Sequence, residues 1–155
     1  GLGLVLNIAA IILAFVALIA LVNGLIGWIG GWFGFSDLSL QTILGYIFAP
    51  VAVIIGVPWG ESVIAGSLIG QKIILNEFVA FTSMSPLLPE LSAKTTAIVT
   101  FALCGFANIS ILIGGIGGMA PNRKHDIARL GWKSVLGGTL ANLLSATIAG
   151  LLLTI

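Results

Sequence analysis

Residues Leu2 to Gly34 form one unbroken apolar stretch, and nothing else in the chain narrows its fold as much. Helical throughout, it would be roughly 50 Å long at about 1.5 Å per residue, against a bilayer hydrocarbon core about 30 Å thick. The stretch has to tilt steeply or break. Asn23-Gly24 is the expected break, after a span from Gly3 to Val22, and the remainder puts Trp28 and Trp32 one helical turn apart, as in an interfacial aromatic belt. Composition agrees with a membrane setting: of 155 residues, 59% are hydrophobic and 7% charged, with a mean hydropathy of +1.22, outside the range of soluble domains. A net charge of +1 built from so few groups, with no basic stripe, argues against nucleic acid as a partner. The lone Cys104 excludes an internal disulfide and a CxxC metal site. With one histidine and no nucleophile and base pair, the chain does not read as an enzyme. It opens GLGLVLN, with neither a basic leader nor an initiator Met, and is expected to be the later part of a longer protein.

Turn residues divide the rest of the chain. FSDLSL offers Ser36 or Asp37 as the N-cap of an element beginning near Leu38. Apolar sequence from Leu40 to Val57 contains Pro50 and stops at GVPWGES, where Pro58 and Gly60 end a helix; a second helix follows from Ser62 to Phe81. Two consecutive spans would fit this pattern, but a link as short and weakly charged as VPWGE suits a turn inside protein, so 36–81 is expected to be a re-entrant helical hairpin. Residues 82–94 form an outer loop with Glu90 and Lys94, and 95–120 is apolar again, with CGFANIS at its centre. Asn108 and Ser110, two positions apart, cannot share one face of a regular helix, so if both serve one site this transmembrane helix must be interrupted there, and an interrupted helix is the expectation for 95–120. Arg123, Lys124, Arg129 and Lys133 assign a cytoplasmic loop to 121–133, and 134–155 is the C-terminal transmembrane helix. With 1–35 as the first transmembrane helix and its interfacial extension, the expected fold is an all-α integral membrane protein.

The candidate site lies in GQKIILNEFVAF, which places Lys72, Asn76 and Glu77 within six positions of an apolar run. On a continuous helix Lys72 and Asn76 share a face and Glu77 adjoins it. Two readings stand. Lys72 and Glu77 neutralise one another, or Asn76 and Glu77 face a polar cavity in which a carboxylate accepts hydrogen bonds from vicinal sugar hydroxyls. Elsewhere, Glu61 reads as a cap or a hydrogen bond at the hairpin tip, Cys104 as a small core residue, and Gly66 and Gly70 as helix packing.

GQKIILNEFVAF resembles the GxKxxxNEFVA signature of concentrative nucleoside transporters, and GVPWGES, SAKTTAIVTFALCGFAN, GGIGGMAP and RKHDIARLG resemble that family in the same order, over essentially the whole chain. The resemblance implies the C-terminal half of a bacterial member: half of an inverted-repeat transporter, multi-pass in the bacterial inner (plasma) membrane, homotrimeric among membrane lipid, with an elevator motion. It implies a symporter importing nucleosides, coupled to sodium or protons, without a cofactor and with the ion site mainly in an N-terminal half absent here. It assigns the ribose to Glu77, Asn108 and the nearby Ser110, and places Phe106 against the ligand. The family continues GFAN with paired serines, whereas this chain runs NIS directly into ILIGG. The alternatives are another inverted-repeat carrier for a hydroxylated solute, or a gate-like membrane subunit that translocates nothing.

Overall fold

A computed structural model of the chain describes residues 2–35, 38–105 and 121–154. Every regular element among them is helical. The first, α1 (Leu2–Trp32), runs unbroken through Asn23-Gly24. The expected break is absent because Asn23 finds partners outside its own backbone: its amide donates to Gln41 Oε1 at 3.0 Å and its Oδ1 accepts the Leu40 N–H at 2.8 Å. Those partners open α2 (Leu40–Ile54), whose N-cap is Ser39, accepting the Thr42 N–H at 3.2 Å. Ser36 and Asp37, the caps expected from sequence, lie outside the described residues.

Helix α2 passes Pro50 and closes in a Schellman motif. The Gly56 N–H bonds Val53 O and the Val57 N–H bonds Ala52 O, each at 3.0 Å, with Gly56 at a φ of 105° that only glycine adopts freely. Gly56, rather than Gly60, therefore ends the helix, and Pro58 keeps it from resuming. A tight 3-10 turn at Trp59–Glu61 leads into α3 (Ser62–Ile74), which packs back along α2. The second arm, expected as one helix to Phe81, stops at Ile74 and restarts as α4 (Glu77–Met84). A 3-10 segment, Ser85–Glu90, then leads to α5 (Ala93–Leu103).

The last helix, α6 (Lys124–Leu152), absorbs most of the basic segment expected as a loop, so Arg129 and Lys133 ride on its first turns. Its Arg129–Leu152 portion is long and apolar enough to cross a bilayer. The core joins α3, α4, α5 and α6 through Leu68, Ile69, Ala80, Ile98, Val99 and Ala146, all at most 1% exposed. By contrast, α1 and α6 leave Leu13, Leu21, Leu25, Leu140, Leu144 and Leu151 exposed.

Candidate functional site

The first part of the site is the gap between α3 and α4. Lys72 stands in the last turn of α3, Asn76 at the N-cap of α4 and Glu77 in its first turn. Asn76 has extended backbone (φ −170°) and its Oδ1 accepts the Val79 N–H at 2.8 Å. A cation at one helix end, a capping amide and an anion at the next helix start each favour termination or initiation where they stand. Lys72 and Asn76 are thus on different helices. Gln71, 1% exposed, ties the pieces together: its Oε1 accepts from Ser83 Oγ at 2.8 Å and its Nε2 donates to Ser67 Oγ at 3.1 Å.

The second part is the end of α5. After Leu103 the chain leaves the helix at Cys104 (φ −60°, ψ 148°) and turns at Gly105, whose φ is 95°. Lys72, 2% exposed, places its ammonium on this end, donating to Ala102 O at 2.8 Å and Cys104 O at 2.9 Å. In place of the ion pair with Glu77 that one of the two readings offered, this ammonium binds backbone carbonyls; among the described residues the one ion pair is Arg123–Asp126. Cys104 is exposed at the break instead of sitting in the core. Hydrogen bonds to a charged group contribute about 1.5–3 kcal/mol each, offset by several kcal/mol for desolvating the ammonium. The net stabilisation is small, but removing Lys72 would strand two carbonyls. At the other end of α5, Glu61 Oε2 accepts from both the N–H and the Oγ–H of Ser92 at 3.0 Å, and Ser92 is the α5 N-cap. Glu61 is therefore the hydrogen bond at the hairpin tip that its position suggested.

Among the described residues, Glu77 Oε2 and Asn142 Nδ2 are buried polar atoms with no hydrogen-bond partner. The first belongs to α4 and the second to α6, and both helices pack on α5. One is an acceptor and the other a donor, and each is costly to leave unpaired away from water. Asn142 lies against Gly105: a Cβ there would be 2.9 Å from its Nδ2 and 3.0 Å from its Oδ1. Sequence reasoning missed Asn142, since TLANLLSA has no spacing motif; the available signal was a lone amide in an apolar helix. Of the residues proposed from sequence, the structure places Asn76 and Glu77 at one break, whereas Phe106, Asn108 and Ser110 lie outside the described residues. A cavity of about 220 Å³ opens beside α4, lined by Val16, Ile19, Gln41, Phe78, Val79, Thr82 and Ser83. Neither Glu77 nor Asn142 borders it. Replacing Gly105 by Ala should cost roughly 1–3 kcal/mol, because it combines a strained backbone with the Asn142 contact. The melting temperature of the purified full-length protein should fall, and an unchanged value would mean that the turn tolerates a side chain.

Sequence and structure comparisons converge on one kind of protein. The family described as "Na+ dependent nucleoside transporter C-terminus" matches residues 1–150. A Bacillus subtilis protein, uncharacterized transporter YutK, is 58% identical over 154 residues, covering 97% of this chain and 38% of that protein. The nucleoside permease NupC of Helicobacter pylori is 52% identical over 159 residues, again 97% of this chain and 38% of the relative. Among solved structures, CNTnw in an inward-facing substrate-bound state superposes with a TM-score of 0.85 at 58% identity, over 94% of this chain and 37% of that one. The chain thus spans well under half the length of these relatives.

Proposed function

We propose, from the premise that this chain belongs to the Na+ dependent nucleoside transporter family and is its C-terminal part, that the whole protein is a symporter importing nucleosides down a sodium or proton gradient. Family membership makes it a membrane transporter and not an enzyme. In this reading it is multi-pass in the bacterial inner membrane, trimeric, and moves substrate by an elevator motion. Residues 36–81 are its re-entrant hairpin. The exposed leucines of α1 and α6 then face lipid or the neighbouring half.

The observation that carries the proposal is Glu77: a carboxylate at a helix start with one oxygen buried and, among the described residues, unpaired. A carboxylate oxygen accepts hydrogen bonds, so its natural complement is a ligand that donates. Ribose supplies vicinal hydroxyls. Asn108 and Ser110 complete the ribose contact in this proposal, Phe106 packs on the ligand, and Asn76 builds the break that presents Glu77. The coupling ion is held mainly in the N-terminal half.

Labelled uridine uptake into proteoliposomes holding the full-length protein tests this. Accumulation should follow an inward sodium gradient, or a proton gradient if sodium has no effect. Absence of accumulation under both gradients would overturn the proposal.

A further inference from the structure

We infer that the basic start of α6 is a binding site for a phospholipid with a negatively charged headgroup, held by Arg129 and Lys133 with its acyl chains along the apolar face below them. The inference rests on the chain being part of a membrane transporter and not on the identity of the substrate. Within Arg129–Leu152, the portion long enough to cross a bilayer, about 20 residues fill the hydrocarbon core. With Leu152 at the far edge, that length reaches back to Lys133. Arg129 and Lys133 then stand at the depth of the lipid headgroups, one helical turn apart on one face of the helix.

Both cations are exposed, and neither has an acidic partner among the described residues: Asp126, the acid nearest to them in sequence, is engaged by Arg123 at 2.6 Å. The Lys133 ammonium lies 5.8 Å from the centroid of the Trp132 ring, and that ring is itself exposed; an indole at this depth suits the headgroup region. A guanidinium fork and a point charge one turn apart offer converging donors to a single anion, which matches a phosphate diester. Below them the face turns apolar. Leu136, Leu140, Leu144, Ile148 and Leu152 continue at intervals of four the row that Trp132 begins, each at least 50% exposed. Gly137, one turn below Lys133, has nothing within 4 Å of the Cβ it lacks, so an acyl chain descending from a headgroup on Lys133 meets the helix backbone there. A protein helix packed on this face would have to bring buried anions to the level of Arg129 and Lys133. A phospholipid carries the negative charge and the apolar length in one molecule, in the order in which the face presents their complements.

Native mass spectrometry of the full-length protein, released from vesicles of phosphatidylglycerol and phosphatidylcholine in equal parts, counts the lipid retained. The parent should keep phosphatidylglycerol in preference to phosphatidylcholine. Each charge removed should weaken that retention roughly fivefold, so Arg129→Gln and Lys133→Gln together should lower the apparent affinity by about 25-fold. Gly137→Leu keeps both cations but fills the open position, and it should lower retention with no change of melting temperature in lipid-free detergent. Unchanged retention in the double Gln variant would overturn the inference. So would unchanged retention in Gly137→Leu, which would leave only a diffuse attraction between two cations and any anionic surface. Displacement of the lipid by inorganic phosphate would overturn it in favour of a site for a soluble anion. A fall in the melting temperature of Gly137→Leu in lipid-free detergent would mean that the rest of the protein covers this face, with the same consequence. Should the double variant fail to fold, Lys133→Gln and Gly137→Leu decide. None of these readouts involves transport, so failure of the uridine experiment and failure of this one are distinguishable.

Discussion

Glu77→Gln in the full-length transporter is expected to lower uridine uptake efficiency by roughly 10- to 150-fold, the equivalent of about 1.5–3 kcal/mol for hydrogen bonds to a charged acceptor. The substitution keeps the size of the side chain and its place in the first turn of α4. It removes the charge and turns one of two accepting oxygens into a donor. A ribose hydroxyl that donated to that oxygen would then face an N–H, and the buried position of Oε2 leaves no water to relieve the mismatch. Because the contact exists when substrate is bound, the loss should fall mainly on KM. Pairing the variant with 2′-deoxyuridine sharpens the result. If Glu77 holds that hydroxyl, the parent should take the deoxy substrate less well, and the penalty for Glu77→Gln should shrink with it. Equal losses for both substrates would move the carboxylate to another part of the ligand. Uptake indistinguishable from the parent would remove Glu77 from the site.

The stretch KIILNEF illustrates what the sequence does and does not disclose. Its residue types suffice to place polar chemistry there, but they do not lie on one continuous helix. A basic residue, a capping residue and an acid in order are a helix stop followed by a helix start, and the surrounding Ile, Leu, Phe and Val hide that punctuation under an unbroken apolar pattern. Asn23 misleads in the other direction. It looks like a break and is satisfied by the start of α2, a partner 17 positions away that local pattern cannot supply. Tertiary partners likewise account for Lys72, whose acceptors are 30 and 32 residues distant, and for Asn142 against Gly105. Features encoded within a few residues are the readable ones: the turn near Pro58 and the approach of glycines on α3, whereas the chain leaves α5 at Cys104, ahead of the Asn108–Ser110 stretch where the sequence placed the interruption and which lies outside the described residues. The helical class follows from the length of the apolar stretches against a bilayer about 30 Å thick.

The closest approach in the hairpin leads to the largest expected loss of stability, in Gly66→Ala. A Cβ at Gly66 would lie 2.6 Å from both Ala49 N and Gly45 O and 2.8 Å from Phe48 C. All three are backbone atoms, so no side chain can swing aside. Ordinary contact begins at 3.4 Å, so α2 and α3 would have to separate by about 0.8 Å (3.4 − 2.6). A gap of that size forfeits roughly a quarter to a half of the dispersion attraction across the interface, and it does so along the whole length of two stiff helices. Overpacking of this kind costs about 1–3 kcal/mol in an adaptable core; with only backbone in the way, Gly66→Ala should reach or exceed the upper figure, and Gly66→Leu should abolish folded protein. Gly60→Ala is the control, since nothing lies within 4 Å of the Cβ it would add. The measurement is the yield and melting temperature of full-length protein after size-exclusion chromatography. A separated α3 also carries Lys72 away from Ala102 and Cys104, so its two hydrogen bonds to the end of α5 should weaken together with the α2–α3 contact. Equal stability of the Gly60 and Gly66 variants would mean that the two arms are not in contact here.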